Sequence, residues 1–351
     1  MKFVDIFAGI GTIRMGMEQA GHECVYSIEF DKHKRGIYNV IFGNEPEGSD
    51  IRGCKGEEIP TADLWSFGFP CQDISVAGKQ LGFTGERSSL FFEVMRLLSE
   101  NKEENRPKYL LVENVKNFFS VNGGRDFLEA LYQMDALGYD AEWQLINSKN
   151  HGVPQNRERI FIIGHLRGRS TRKVFPIRNS NSQTINQVGE LDIKDNDRQK
   201  RVYSSEGISP SILARSDSPK VILDAGNQSQ RVYSTNGISC TLKALGGGQG
   251  AKTGLYKVKA VLTPDRAEKR QNGRRMKEDG EPMFTLTGQD RHGIYNGYRI
   301  RRLTPKECFR LQGFPDEYFE RAKAVNSDSQ LYKEAGNSVT ITVVYEIAKR
   351  L

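Results

Sequence analysis

Short apolar runs alternate with amphipathic stretches along the first 165 residues of the chain. Residues 90–98 and 127–137 have apolar positions at helical spacing, and another helix is predicted to begin near Thr12. Five apolar runs are predicted to be strands: 4–7, 24–28, 64–67, 109–112 and 160–164. Strands that alternate with helices predict a mainly parallel sheet with helices on both faces.

The pattern changes after residue 164. The segment 165–300 is rich in Gly, Ser, Asn, Gln and Arg and has few long apolar runs. The sequence RVYS at 201–204 returns at 231–234, and Gly-Ile-Ser follows each copy. Two copies are too few for a solenoid, so this segment predicts duplicated β-hairpins in a small sheet domain. The last residues, 338–351, predict a strand or short turn followed by a helix.

Composition and charge narrow the classes of function. The 351 residues suit one large domain and one smaller domain. Lys and Arg outnumber Asp and Glu by 51 to 44, which gives a formal charge of +7. That excess is compatible with a polyanion such as DNA, although many basic proteins bind no nucleic acid. The first residues predict a strand rather than a signal peptide, and no run is long enough to span a membrane, so we expect a cytoplasmic protein.

Cysteine usage argues against a structural disulfide or metal framework. The five cysteines are odd in number and form no CxxC pair, so neither disulfides nor a zinc site are expected. We expect no metal ion. Any special cysteine must be identified by its neighbours.

The segment DIFAGIG at 5–11 ends the first predicted strand and leads into a helix. Glycines at this point allow a tight backbone turn beside a ligand. The spacing is not a full GxGxxG and no Walker sequence is present, which weakens a dinucleotide or ATP interpretation. Glu29 follows the next strand, where an acid can bind a ribose, and Asp50 is placed to meet an adenine amino group. The alternative is a tight turn with two surface acids.

Cys71 lies in GFPCQ at 68–72, directly after the predicted strand 64–67. A thiolate at this edge of the sheet is a candidate nucleophile. The glycine-containing stretch 75–89 follows and has the character of a lid. The alternative is a buried structural cysteine.

Two further groups of polar residues follow predicted strands or lead into them. Glu113 comes after 109–112, and a partly desolvated carboxyl group there is a candidate proton donor. Arg157 and Arg159 precede the run 160–164, where strand alternation places them on one side as a clamp for an anion or a base oxygen. The alternatives are a capping acid and a solvated strand end.

The order of these motifs resembles one family. FAGxG, PCQ, ENV and QxRxR occur in sequence, followed by the long insert 165–300. RLTP at 302–305 with RLQGFP at 310–315 is similar to the family's ninth motif, and AGNSV at 335–339 to its tenth. The chain therefore resembles the C5-cytosine DNA methyltransferases of bacterial and phage restriction-modification systems from residue 3 almost to its end.

The resemblance implies an α/β fold with two domains. A doubly wound, Rossmann-like methyltransferase domain would comprise 1–165 and 328–351. A smaller, mainly β target recognition domain with a hinge would comprise 166–327, and DNA would lie in the cleft between them. The resemblance also implies double-stranded DNA as substrate, a monomer and no membrane association. The sequence leaves open whether a cognate restriction endonuclease exists. Such an enzyme would act on the same site without stable contact with this chain.

The same resemblance implies S-adenosyl-L-methionine as cofactor, without a metal. Glu29 would bind the ribose hydroxyls, Phe30 would pack on the adenine, and Asn337 and Val339 would close the methionine end. The other residues implied at this site are Phe7, Gly9, Gly11, Asp50, Ile51, Pro70 and Leu90.

For catalysis, the resemblance implies that Cys71 attacks the C6 atom of a flipped-out cytosine while Glu113 holds or protonates N3. Arg159 would contact O2, with Arg157 and Gln155 supporting the pocket. Residues 227–234 and 246–254 resemble the two recognition loops of the bacterial member that reads GCGC. By that likeness Gln228 would fill the gap left by the flipped base and Arg231 would read a guanine, which predicts a G·C-containing target. The first RVYS copy would be a second reading unit or scaffold.

Three rival functions remain open at this point. A tRNA cytosine-5 methyltransferase shares the core motifs, but it is expected to have a much smaller insert. A catalytically inactive DNA-binding protein is opposed by the presence of Cys71 and Glu113. An NAD-dependent oxidoreductase does not explain the ordered motifs beyond Glu29.

Overall fold

The structure is a computed structural model. It describes residues 1–69, 90–178, 259–262, 274–278, 281–287, 291–295 and 300–351, and the backbone of short strands within 187–256. The chain divides into two compact units. The first comprises Met1–Arg178, Phe284–Asp290 and Thr304–Leu351, and the second comprises Asn179–Met283 and Arg291–Leu303.

The first unit contains a six-stranded sheet with the order β2-β1-β3-β4-β6-β5. Strands β1 to β4 pair in parallel, while β6 pairs antiparallel with both β4 and β5. The mostly parallel α/β sheet is therefore confirmed. Its strands are β1 (Lys2–Ile6), β2 (Glu23–Ile28), β3 (Leu64–Phe67), β4 (Tyr109–Val115), β5 (Tyr139–Asn147) and β6 (Glu158–Leu166).

Eight α-helices accompany this sheet in the described residues. They are α1 (Thr12–Gln19), α2 (Lys32–Phe42), α3 (Leu90–Glu100), α4 (Arg125–Ala136), α5 (Pro305–Leu311), α6 (Asp316–Val325), α7 (Asp328–Asn337) and α8 (Ile341–Ala348). None of these helices has the length and apolar character needed to cross a membrane.

The sheet is buried on both faces because its strands alternate between two apolar clusters. Along β1, Phe3 faces one cluster while Val4 and Ile6 face the other. Along β3, Leu64 and Trp65 divide in the same way. Strands buried on both faces have continuous apolar sequences, which is why the sequence identified them.

The helices after Thr304 belong to the first unit, whereas the sequence-based division at residue 328 gave 305–325 to the smaller domain. Their contacts explain the difference. Arg321 on α6 donates to the carbonyl oxygen of Ile41 at 3.1 Å, and Gln312 after α5 donates to that of Ala335 at 2.7 Å. These bonds tie α5 and α6 to the helices beside the sheet.

Strand β5 was not predicted from the sequence. It forms the edge of the sheet beside β6, and only Tyr139 and Ile146 among its residues are buried. Polar residues such as Asp140, Glu142 and Gln144 therefore interrupt its apolar pattern.

The second unit contains short strands only, within the residues that are described. Strand β12 pairs antiparallel with β13, and β13 with β14. The strands are β7 (Gln187–Glu190), β8 (Arg201–Tyr203), β9 (Lys220–Val221), β10 (Val232–Tyr233), β11 (Leu255–Tyr256), β12 (Lys259–Leu262), β13 (His292–Tyr295) and β14 (Ile300–Arg302). Its role in target recognition stays a prediction.

Candidate active site

A cavity of about 580 Å³ lies in the first unit, where the parallel strands β1 to β4 end. Its lining comes from the segments that follow these strands, from the start of β6 and from the end of α7. The carboxyl ends of parallel strands are the usual ligand site of open α/β sheets. Among the residues implied by sequence, Phe7, Gly9, Glu29, Phe30, Asp50, Ile51, Leu90, Glu113, Arg157, Arg159, Asn337 and Val339 line it.

The loop after β1 turns sharply beside the cavity. Phe7 and Gly9 both have positive φ angles, 59° and 61°. The Gly9 amide donates to Oε2 of Glu29 at 2.8 Å, which couples this turn to the end of β2. The turn thus fixes the position of a buried acid.

Gly11 is not part of the cavity lining. It precedes α1 with a φ of 83°, and a Cβ atom there would lie 2.2 Å from the ring of Phe42. Glycine is therefore required by backbone conformation and by packing of α1 against α2. Beside it, the Thr12 hydroxyl accepts from the Val339 amide at 3.3 Å and so connects the first and last motifs.

Glu29 and Phe30 offer an acid and an aromatic ring at the same edge. The Glu29 side chain is 5% exposed, and its Oε1 accepts from the Asp31 amide at 2.8 Å. The neighbouring Phe30 is 70% exposed although it is a large apolar residue. An exposed ring beside a fixed carboxylate suits a flat heterocycle attached to a hydroxylated sugar.

Asp50 is already engaged in an ion pair. Its carboxylate receives hydrogen bonds from the Arg52 guanidinium, with Oδ2 2.8 Å from Nη2, and from the Arg52 backbone. These bonds lower the pKa of Asp50. A ligand amino group would therefore have to share this carboxylate with Arg52. Next to it, Ile51 is buried against the cavity.

Gln155 is buried, is not part of the cavity lining, and connects two backbone segments through hydrogen bonds. Its amide donates to the Leu311 carbonyl at 2.8 Å and accepts from the Leu286 amide at 3.2 Å. Its contacts fix backbone rather than a ligand.

Arg157 also holds backbone segments in place through hydrogen bonds, although it is part of the cavity lining. It is 2% exposed and donates to the carbonyl oxygens of Leu286 at 2.9 Å, Gly336 at 3.2 Å and Ser338 at 2.6 Å. These bonds position the backbone on both sides of Asn337. The sequence treated Arg157 and Arg159 as a pair, but their contacts differ.

Arg159 pairs with Glu113 instead. Its Nε lies 3.1 Å from Oε1 of Glu113. Burial raises the pKa of Glu113, while the charges of Arg159 and Arg157 act to lower it. A buried carboxyl group with a raised pKa can hold a proton and donate it to a bound ligand.

Two residues that support Glu113 were not singled out from the sequence. A Cβ atom on Gly68 would lie 3.0 Å from Oε2 of Glu113, so glycine makes room for the carboxylate. The buried Asn114 amide donates to the Phe69 carbonyl at 3.3 Å. Both contacts place Glu113 next to the backbone that leads to Pro70.

The remaining residues predicted from the sequence lie outside the described part of the chain. They are Pro70, Cys71, Gln228 and Arg231. The predicted lid 75–89 also lies outside it. Their roles stay predictions.

The cavity has the volume and the lining of a small-molecule site. Its volume lies within the range of about 300–1,000 Å³ that is usual for small-molecule sites. Acidic side chains and an exposed aromatic ring line it. In the described residues, no group of three or more His, Cys, Asp or Glu side chains is arranged to hold a metal ion.

Comparison with protein families gives a match over the entire chain. The family described as C-5 cytosine-specific DNA methylase matches residues 1–351. Type II methyltransferase M.HhaI of Haemophilus parahaemolyticus is 35% identical, over 99% of this chain and 93% of its own length. Orphan methyltransferase M.SPBetaI of Bacillus phage SPbeta is 33% identical, over 100% of this chain and 97% of its own.

Solved structures show the same fold at lower identity. S. pombe Dnmt2 methyltransferase superposes with a TM-score of 0.57 at 18% identity, over 99% of this chain and 97% of its own. The Entamoeba histolytica methyltransferase EhMeth superposes with a TM-score of 0.55 at 16% identity, over 99% and 96%.

Proposed function

Because the chain belongs to the C-5 cytosine-specific DNA methylase family, we propose that it methylates C5 of cytosine in double-stranded DNA with S-adenosyl-L-methionine as donor. The observation that carries this proposal is the buried Glu113–Arg159 pair, in the same cavity as the Glu29–Gly9 turn. An acid–guanidinium pair suits a pyrimidine edge, and the turn suits a nucleoside. One cavity thus offers both halves of the reaction.

The proposed cofactor residues surround the turn after β1. Glu29 would bind the ribose, Phe30 would stack on the adenine, and Asn337 and Val339 would hold the methionine end. The others are Phe7, Gly9, Asp50, Ile51, Pro70 and Leu90. When bound, S-adenosyl-L-methionine supplies an electrophilic methyl group on a positively charged sulfur.

In the proposed mechanism Cys71 activates the base. Its thiolate adds to C6, and the C5–C6 electron pair moves towards C5 while N3 gains a proton from Glu113. The electron-rich C5 accepts the methyl group. Loss of the C5 proton to a base then restores the C5–C6 double bond and expels the Cys71 thiolate, and N3 returns its proton to Glu113.

The environment of Glu113 supports its part in this scheme. Burial raises its pKa, which keeps a fraction of the carboxyl groups protonated at higher pH than usual. Arg159, on the same side, would donate to the O2 atom of the base. Arg157 and Gln155 would act indirectly, by fixing the backbone around the site.

Access to C5 and C6 requires the cytosine to leave the duplex. Base-modifying enzymes rotate the target nucleotide into a pocket, which costs a few kcal/mol. We propose that residues 75–89 close over the flipped base and that Gln228 fills the gap. Arg231 would read a guanine in a G·C-containing site, since Arg–guanine pairs are the commonest specific contact.

The experiment is bisulfite sequencing of DNA from cells that express the chain, with Cys71→Ser as the matched control. The proposal predicts protected cytosines within one short sequence, and none above background with the variant. Purified protein should transfer tritiated methyl groups to duplex DNA. Transfer to tRNA alone would favour the tRNA methyltransferase instead, and no transfer to either would reject the proposal.

A further inference from the structure

One wall of the cavity carries a cluster of five charged side chains that the proposed mechanism does not use as a group. We call them the Glu334 cluster: Glu29, Asp31, Lys34, Lys333 and Glu334. Three elements contribute, namely the end of β2, the start of α2 and the end of α7. The cluster holds three acids and two lysines, so it has one negative charge in excess when all of them are ionised.

The two lysines lie close to two of the three acids, Glu29 and Asp31. Lys34 lies 3.8 Å from Oε2 of Glu29, and Lys333 lies 3.8 Å from Oδ2 of Asp31. Asp31 also caps α2 by accepting from the amides of His33 and Lys34. Each lysine is thus paired with one acid, and the negative charge in excess falls on Glu334.

Glu334 is buried without a direct ion pair among the described salt bridges. It is 1% exposed, and Oε1 accepts from the Gln330 side-chain amide at 2.6 Å. Burial raises its pKa to about 7, with Lys34 and Lys333 acting to lower the pKa and Asp31 and Glu29 to raise it. A cation entering the cavity would therefore stabilise its ionised form.

The proposed cofactor and its product differ in charge. S-adenosyl-L-methionine carries a sulfonium, an ammonium and a carboxylate group, so its net charge is positive. S-adenosylhomocysteine keeps the ammonium and carboxylate groups but has an uncharged thioether. A negative charge in the wall therefore distinguishes the two by electrostatics, with no difference in shape required.

We propose that the ionised Glu334 carboxylate gives this site a preference for the sulfonium cofactor over its uncharged product. The inference rests on the proposed function and adds a specificity-determining residue to it. In this role Glu334 supports product release, because the attraction weakens as soon as the methyl group has been transferred. Glu334 does not act on the base.

The sign of the pH dependence follows from linkage. Below about pH 7 Glu334 is mostly protonated, and binding of the cation releases that proton. The affinity for S-adenosyl-L-methionine relative to S-adenosylhomocysteine should therefore rise with pH through this range. If the cation lowers the pKa of Glu334 by about one unit, the preference rises by up to about tenfold.

Isothermal titration calorimetry on the full chain tests this inference with both ligands, at about pH 6 and about pH 8.5 and in two buffers of different ionisation enthalpy. The main variant is Glu334→Gln, which keeps the shape and removes the charge. Glu334→Asp keeps the charge, and Asp328→Asn removes an acid from the first turn of the same helix. Comparison of each variant with wild type, for the same ligand at the same pH, cancels the ligands' own titration.

In wild type and in Asp328→Asn, the preference for S-adenosyl-L-methionine over S-adenosylhomocysteine should rise with pH. Both proteins should also release protons when they bind S-adenosyl-L-methionine. Glu334→Gln should bind both ligands with a small preference that no longer rises, and Glu334→Asp should restore part of the effect. The inference would be overturned if Glu334→Gln kept the same pH-dependent preference. It would also be overturned if this variant bound both ligands more weakly by the same factor. If Glu334→Gln does not fold, absence of linked proton release in wild type overturns it. If wild type binds neither ligand, the proposed function itself fails.

Discussion

Nε of Arg159 lies 3.1 Å from Oε1 of Glu113, and the two side chains are only 15% and 11% exposed. Burial and the guanidinium act in opposite directions on the pKa of Glu113. This balance suits an acid that must give a proton to the base and later take it back. Gly68 leaves space for the carboxylate on its other side.

Glu113→Gln should reduce kcat for methyl transfer by about 10²–10⁴-fold, because the amide cannot transfer a proton to N3. Binding of DNA should be largely retained, since the side chain keeps its size. Single-turnover transfer of a tritiated methyl group measures this effect. Glu158→Gln is the matched control because Glu158 is an exposed partner of Lys116. Equal losses in both variants would contradict the role assigned to Glu113.

Gly68→Ala should lower kcat by about ten- to a hundredfold, because the new Cβ atom would press on the Glu113 carboxylate and misplace it. The melting temperature should change little. The control is Gly36→Ala in α2, where a Cβ atom would meet nothing within 4 Å. Wild-type kcat in Gly68→Ala would show that the carboxylate position is not critical.

Arg157→Ala should reduce the free energy of unfolding by about 3–5 kcal/mol, because it leaves three carbonyl oxygens without their buried donor. Urea denaturation measures this loss. Arg125→Ala, at an exposed position at the start of α4, should change stability by less than about 0.5 kcal/mol. A similarly small change in the free energy of unfolding for Arg157→Ala would show that its hydrogen bonds to the backbone do not stabilise the fold.

Asp5 makes the stability of the fold dependent on pH. Its side chain is fully buried, its Oδ1 accepts from Ser66 at 2.8 Å, and burial raises its pKa from 3.8 to about 7. The stabilisation from this raised pKa is fully present below the unfolded pKa and is lost as pH rises through about 7.

Between about pH 5 and pH 8, wild type should therefore lose about 2–3 kcal/mol more unfolding free energy than Asp5→Asn. Urea denaturation of both proteins at several pH values provides the comparison. Glu334 and Glu113 titrate in both proteins, so their contributions cancel. Parallel pH profiles would show that Asp5 ionises freely in the folded chain.

The sequence predicted the central sheet because its strands are buried on both faces and have continuous apolar runs. All five predicted strands are confirmed, with small shifts at their ends. Edge strand β5 was missed because few of its positions are buried and polar residues interrupt its apolar pattern. The helices α2, α5, α6 and α7 were not predicted, although Thr304 and Glu307 form a capping box that marks the start of α5.

Many of the residues that line the cavity could be located from sequence because they follow strands that end at one edge of the sheet. The side-chain and backbone groups that they contact could not be predicted. Pairing of Arg159 with Glu113, and of Arg157 with backbone carbonyls, depends on how β6 lies beside β4 and α7. The burial of Glu334 could not be predicted from the sequence, because it results from packing of α7 against segments that are distant along the chain.

The most direct test of the account is a trapping experiment with duplex DNA that contains 5-fluorocytosine at the target position. Fluorine at C5 cannot leave as a proton does, so the bond between Cys71 and C6 should persist after methyl transfer. Peptide mapping by mass spectrometry should find the nucleotide and the added methyl group on Cys71, and Cys71→Ser should give no adduct. Absence of an adduct under conditions where ordinary duplex is methylated would contradict the covalent mechanism.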